Sequence, residues 1–273
     1  MVKKTADKKQ LISMFGWIIA LLIIWEVGAF IVSGTKRTPE NILPHTYQIL
    51  ASAFSSKTVS GGLTATGVVL TSAGATLLRA ILGFAIGTLG GAVLALLMQL
   101  SGLIEKTVFP YLVLIQLIPV LGLAPIILSI TGDINISRVV IAALMSFYPV
   151  ATNTMAGFKS VEKEKYDLMY IYAAPLRTVY SKVLIPSCIP YMFTGMKIAA
   201  PMAITASILV DTLQGDGGLG CMLSQSLKHA MSIYVFWLIV IFSALIGILS
   251  GYFIGLIENR VSPLKRDKKK SQE

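Results

Sequence analysis

The sequence is poor in the residues from which soluble active sites and metal centres are built. Its 273 residues include 13 carboxylates, two histidines and two cysteines, and charged residues make up 13% of the chain. His45 and His229 stand alone, with neither a second His four residues on nor a nearby Cys, which excludes a metal site of recognisable spacing. One hydrophobic segment separates Cys188, in a central polar loop, from Cys221, so the two should face opposite compartments. They cannot pair, and are expected to be inert packing residues. No Ser, His and Asp fall at catalytic spacing within the apolar segments, so the chain does not read as an enzyme. Two nucleotide-like patterns fail in context. Gly215 to Gly220 satisfies GxGxxG, but no strand precedes it, and a flexible outer loop is expected there. Ser101 to Thr107 ends in Lys-Thr, but Glu105 occupies the place of the glycine and would repel a phosphate. No cofactor is therefore expected on this chain.

Apolar residues are what the chain has in abundance. They make up 55% of it, with a mean hydropathy of +0.77, too apolar for a soluble domain. The expected fold class is an all-α membrane protein with six transmembrane helices, running roughly Leu11–Ser33, Ala80–Leu100, Val108–Thr131, Val139–Phe158, Tyr191–Val210 and Ser232–Ile257. The first run is too long for a signal core and lacks a small-residue cleavage site, so it reads as a retained helix. This divides the chain into a basic N-terminus (1–10), one transmembrane domain (11–257) and a basic tail (258–273). Between the first two spans, Pro44 opens a short helix through Phe54, and Gly61-Gly62 would stop any continuation; this stretch should lie against the outer surface.

The net charge of +10 would suggest nucleic acid in a soluble protein. Here its distribution argues otherwise. Sixteen of the 23 Lys and Arg fall in the N-terminus, the 101–107 link, the 159–190 loop and the tail from Arg260, against five in the alternate links. That asymmetry predicts cytoplasmic termini and a cytoplasmic central loop, in a cell membrane, with lipid and not nucleic acid as surroundings.

Two glycine stripes, 83/87/91 and 247/251/255, offer smooth surfaces for close helix packing. Pro110, Pro119 and Pro125 interrupt the third span, which favours an interior, path-lining helix. Gln116, Pro119, Asn153, Thr205 and Asp211 are the candidate path residues, although bonding between helices is the commoner use of such polar groups. Glu26 is the most conspicuous intramembrane charge, and is expected near the outer boundary beside Trp25. Lys197 is expected to snorkel to the cytoplasmic surface.

The longest polar interruption, Lys159 to Pro190, has no bland explanation, because short links suffice to join spans. Leu168, Ile171 and Tyr172 recur at helical spacing on one face. Pro175 then forbids a regular continuation, and a second helical stretch over Leu176 to Leu184 should be stopped by Pro186 and Pro190. A helix, a tight turn and a helix outside the bilayer are predicted.

These residues resemble the cytoplasmic loop of the membrane permeases of binding-protein-dependent ABC importers, of the nitrate, sulfonate and taurine type. The family's acid falls on Asp167, its alanine pair on Leu168 and Met169, its glycine on Ala173, and its aliphatic-Pro ending on Leu184-Ile185-Pro186, with Ile189-Pro190 behind. Asp for Glu, bulky residues for the alanines and Ala for Gly are the departures. The similarity extends to Thr76–Arg79 with Gly83-Phe84, to Pro119 and Pro125, to Phe193–Lys197, to Gly218-Leu219-Gly220 and to Glu258-Asn259-Arg260. The resemblance implies a coupling loop containing Asp167, Leu168, Met169, Ile171, Tyr172, Ala173, Ala174 and Pro186. It also implies separate cytoplasmic ATPase subunits that carry ATP and magnesium, an extracytoplasmic solute-binding protein, and a second copy of the chain. The alternative from another class is an ATP-independent secondary transporter or channel, for which no convincing internal repeat is found.

Overall fold

A computed structural model describes residues 2–36, 38–213, 217–228 and 233–262. Residues 263–273 of the basic tail expected over 258–273, and His229, Gly215 and Asp216, lie outside the described residues. The chain divides into two compact units, residues 1–71 with 222–241 and residues 72–221 with 242–273.

In the first unit, α1 (Val2–Thr35) is followed by a short 3₁₀ turn at Pro39–Asn41 and by α2 (Thr46–Ala53). His45 and Gln48 form a capping box at the start of α2, satisfying donors that the first helical turn leaves free. A small antiparallel hairpin, β1 (Thr58–Ser60) and β2 (Leu63–Thr64), follows. The fold is therefore not purely helical. Gly61 and Gly62 both have positive φ (55° and 76°), the geometry of the two-residue turn whose twist matches paired strands, so these glycines shape a turn where the sequence suggested only a stop.

Helix α3 (Ala65–Leu100) begins far earlier than the expected Ala80, because the Thr64 hydroxyl accepts the Gly67 N–H at 3.2 Å and opens the helix there. In the second unit come α4 (Gly102–Leu117), α5 (Val120–Thr131), α6 (Ile134–Lys159), α7 (Lys163–Ile171), α8 (Leu176–Val179) and α9 (Ile185–Leu213), and α10 (Leu219–Lys228) begins there and continues in the first. The last helix is α11 (Ile233–Val261). Among the described residues five helices are long and apolar enough to cross a membrane, and α4 with α5, bent by 109°, makes a sixth if the pair is taken as one broken span.

Of the three prolines in that span, only Pro119 breaks it. Ile118, ahead of it, is extended (ψ 124°), as a residue before proline prefers. Pro110 and Pro125 stay inside their helices, each forfeiting one N–H bond. Pro186 and Pro190 do not end the following helix either. A π turn over Tyr180–Leu184, in which the Ile185 N–H reaches back to the Tyr180 carbonyl, widens the helix just ahead of Pro186, and the chain continues helical to Leu213. Cys188 is thus a buried residue of α9, not of a loop.

Lipid tails are as apolar as leucine, so close backbone approach, not hydrophobic burial, holds such helices together. A Cβ on Gly83 would lie 2.7 Å from the Val139 carbonyl oxygen, and one on Gly91 2.7 Å from that of Phe147, so the first glycine stripe lets α3 lie directly on α6. Gly157 and Gly195 do the same between α6 and α9, where an added Cβ would meet the Cys188 backbone at 2.8 Å and the Pro149 carbonyl oxygen at 2.6 Å. The second stripe is looser. Gly247 faces the Pro201 side chain at 3.7 Å and Gly251 the Lys197 carbonyl at 3.9 Å, ordinary contacts that a methyl group would tolerate.

A helix pair over a buried ion-pair network

The polar interruption folds into α7, a turn and α8. Glu164 lies in the first turn of α7, where a carboxylate favours the positive helix end; Asp167, the residue matched to the family's acid, is the fifth residue and exposed. The helix ends in a Schellman motif, with the Ala174 N–H donating to the Met169 carbonyl (3.0 Å) and the Ala173 N–H to that of Tyr170 (2.9 Å). Ala173 at φ +46° holds the left-handed position that usually takes glycine, which explains the family glycine at this place beyond any need for smallness.

Around this turn Tyr170 is 88% exposed, and Ile171, Tyr172 and Leu176 each more than 70%. Leu168 is half exposed beside them. The inner side is anchored, with Met169, Val179 and Tyr180 packed on a core that includes Met98, Met155, Phe158 and Leu184. Burial, with Tyr180 nearby, pushes the Tyr166 phenol above its ordinary pKa. A cavity of about 980 Å³ lies under the turn, lined by Gln99, Asp167, Ala173, Ala174 and Leu184 among others. Pro186 is half-buried within α9. A Lys159–Glu105 ion pair ties the end of α6 to the start of α4.

The candidate path residues are dispersed. Gln116 is exposed on the last turn of α4, and Pro119 is exposed at the break. Asn153 Nδ2 donates to the Pro149 carbonyl at 2.7 Å, and the Thr205 hydroxyl to that of Pro201 at 2.9 Å. Asp211 is wholly buried. Its Oδ1 lies 2.7 Å from Arg138 Nε and 3.5 Å from Arg79 Nη1, and its Oδ2 accepts from the Thr76 hydroxyl at 2.7 Å. Thr76 in turn accepts the Leu219 N–H at 2.9 Å, and Arg138 Nη2 donates to the Gly217 carbonyl at 3.3 Å.

One carboxylate thus joins α3, α6, α9 and the start of α10. Gly218 (φ +100°) and Gly220 press so close that a Cβ on either would collide with Asp211. The described part of the Gly-rich stretch is therefore tight packing around a buried ion, not a flexible loop. A second pair joins Lys197 to Glu258, which is 3% exposed; Lys197 has a protein partner and does not simply snorkel.

Thr76 and Arg138 were not singled out as carriers of chemistry in the sequence reading. A signal existed all the same, because segments that carry the family resemblance meet in space: Thr76–Arg79 with Gly218–Gly220 at Asp211, and Phe193–Lys197 with Glu258.

Comparison with known proteins agrees. Residues 87–263 match the model of the family described as binding-protein-dependent transport system inner membrane component. The formylaminopyrimidine transport permease ThiX of Halalkalibacterium halodurans is 30% identical over 91% of this chain and 94% of its own length. The nitrate import permease NrtB of Synechocystis is 22% identical over 91% of this chain and 88% of its own. Among solved structures, an amino acid ABC transporter superposes with a TM-score of 0.61 at 20% identity, covering 72% of this chain and 95% of that one. The chain belongs to the binding-protein-dependent transport system inner membrane components, and is the transmembrane, non-enzymatic permease subunit of an ABC importer of the nitrate and sulfonate type.

Proposed function

We propose that the α7–α8 turn is the surface through which this permease takes up work from separate cytoplasmic ABC ATPase subunits, the chains that carry ATP and magnesium. The observation that carries the reading is the exposed cluster of Tyr170, Ile171, Tyr172 and Leu176 on a rigidly capped turn. Four large apolar side chains held outside the spans need a partner surface, and aromatic residues seated in a pocket dominate such contacts. Because α8, the π turn and α9 are continuous, a push on the turn reaches the fifth span without a flexible joint.

The rest of the assembly follows from the family and the charge asymmetry. The termini and this turn face the cytoplasm of an inner-membrane, multi-pass protein. Two copies pair around one translocation path, towards which Gln116, Pro119 and Thr205 are exposed, while Asn153 and Asp211 position helices. A solute-binding protein delivers solute to the opposite side. Family membership sets aside the ATP-independent transporter.

Ala173→Arg tests the coupling role. Both residues carry a Cβ, so the left-handed backbone gains no new strain, while a long hydrated charge enters the contact. The variant should insert into the membrane, fail to co-purify with the ATPase, and lose solute-stimulated ATP hydrolysis in vesicles. Retained association with normal stimulation would remove the turn from the coupling role.

A further inference from the structure

The arm between α1 and α3 contains an apolar surface that the transport reading leaves unused. On α2 and its C-cap, Tyr47, Leu50, Ala51 and Phe54 fall on one exposed face; Tyr47 is 64%, Leu50 60% and Phe54 87% exposed, and Tyr47 and Ala51 also border a cleft with Val59 and Tyr234. The opposite face carries Ile49, 1% exposed.

What covers the outward face is fixed by the depth at which α2 is held. Glu26 of α1 accepts the Thr46 N–H at 2.8 Å, pairs with His45 Nδ1 at 2.7 Å and accepts the Thr46 hydroxyl, so a residue of one helix caps the start of another. Trp25 Nε1 donates to the Pro44 carbonyl at 3.0 Å. Leu43 packs where a Cβ of Gly28 would stand. The chain therefore leaves α1 at Thr35 and returns along it. At 1.5 Å per residue, the start of α2 is pinned about 13 Å below the end of α1.

The part of α1 above that level is apolar and outward-facing, with Phe30 73% and Ile31 58% exposed, and belongs to a span of mean hydropathy 2.3. If that part of α1 lies in hydrocarbon, α2 cannot lie in water. Trp25 meets Trp237 edge to face at 4.5 Å, and the Tyr234 hydroxyl donates to Glu40 at 3.3 Å, the amphipathic aromatics expected at a membrane boundary. Lys36 and Lys57, both exposed, flank the arm with charges that suit lipid phosphates.

We infer that α2 is an in-plane helix seated in the outer leaflet, its Tyr47–Leu50–Ala51–Phe54 face docked on phospholipid at the headgroup–acyl boundary. The inference rests on the chain being a membrane permease with this arm on its outer side, but not on the coupling turn. The arm then works as a float that fixes how deep α1 sits.

Nitroxide labels at Leu50→Cys, Phe54→Cys and, as control, Ser56→Cys test it in phosphatidylcholine–phosphatidylglycerol nanodiscs. Cys188 and Cys221 are buried, so the reagent reads the introduced site. The ratio of oxygen to nickel-chelate accessibility should be several-fold higher at 50 and 54 than at 56, with depths at the acyl boundary. Should either variant be lost from the membrane, Tyr47→Cys reports on the same face. Nickel access at 50 and 54 equal to that at 56 would overturn the proposal. So would protection that appears only on adding a solute-binding protein, or spin–spin broadening between two copies, which would assign the face to a protein partner. A failed Ala173→Arg test would leave these readings unchanged.

Discussion

Replacing Asp211 with Asn removes one negative charge from a fully buried site. Arg138 and Asp211 are both 0% exposed, and the Arg138 guanidinium meets Asp211, Asn135 and the Gly217 carbonyl. Asn keeps the size and an acceptor for Thr76, so geometry is preserved while the charge balance is not. Leaving a buried cation uncompensated costs about 3–5 kcal/mol. For a chain of this length each kcal/mol moves the melting temperature by about 2–4 °C, so Asp211→Asn should melt roughly 10 °C lower in detergent. The double variant Arg138→Met with Asp211→Asn removes both charges without enlarging either side chain and should recover most of that loss, since Arg79 is partly exposed and can turn outward. Thermal unfolding of the purified permease, followed by size-exclusion chromatography, measures both. Asp211→Asn melting with the wild type, or a double variant worse than the single, would refute the staple role.

Three further outcomes are expected. Gly87→Leu should destabilise the permease by roughly 1–3 kcal/mol or prevent its assembly, because the new Cβ would lie 2.8 Å from that of Ser146; Gly247→Leu should be tolerated, and equal behaviour of the two in thermal melts would contradict the packing described. Ala173→Gly should raise the melting temperature, since a left-handed alanine costs about 1 kcal/mol, and an unchanged or lower value would show that the turn relaxes in the membrane. A cysteine at Ser60 should be labelled only from outside and one at Ser271, beyond the described residues, only from the cytoplasm; labelling of both from one side rejects the six-span topology.

Much of this was legible in the sequence, where the signal was periodic. Gly83, Gly87 and Gly91 announced a contact, although not that α6 makes it, and the spacing of Leu168, Ile171 and Tyr172 with Pro175 announced the helix pair. Prolines misled in both directions. Pro119 breaks its span while Pro110, Pro125, Pro186 and Pro190 do not, because the outcome depends on whether neighbouring backbone can absorb one lost donor, as the π turn does. Asp211 sits at a helix end, an ordinary place for an acid, and its true partners lie far away in sequence at Thr76 and Arg138. No local pattern encodes such a pairing. Glu26 finds its partners at His45 and Thr46, and this cap on α2 needs the arm to double back, which periodicity does not express.

The two glycine stripes share a spacing and differ in mechanics. Gly83, Gly87 and Gly91 leave α3 no clearance over α6, and Gly157 and Gly195 leave α9 none, so these three helices have a joint stiffness set by backbone contact. The Gly247 to Gly255 face meets a proline ring, one carbonyl and a lysine stem at ordinary distances, so α11 is held to α9 by side chains, the Lys197–Glu258 ion pair among them, instead of by close backbone contact. A displacement of α9 is therefore shared by α6 and α3 through backbone contact, and by α11 through side chains.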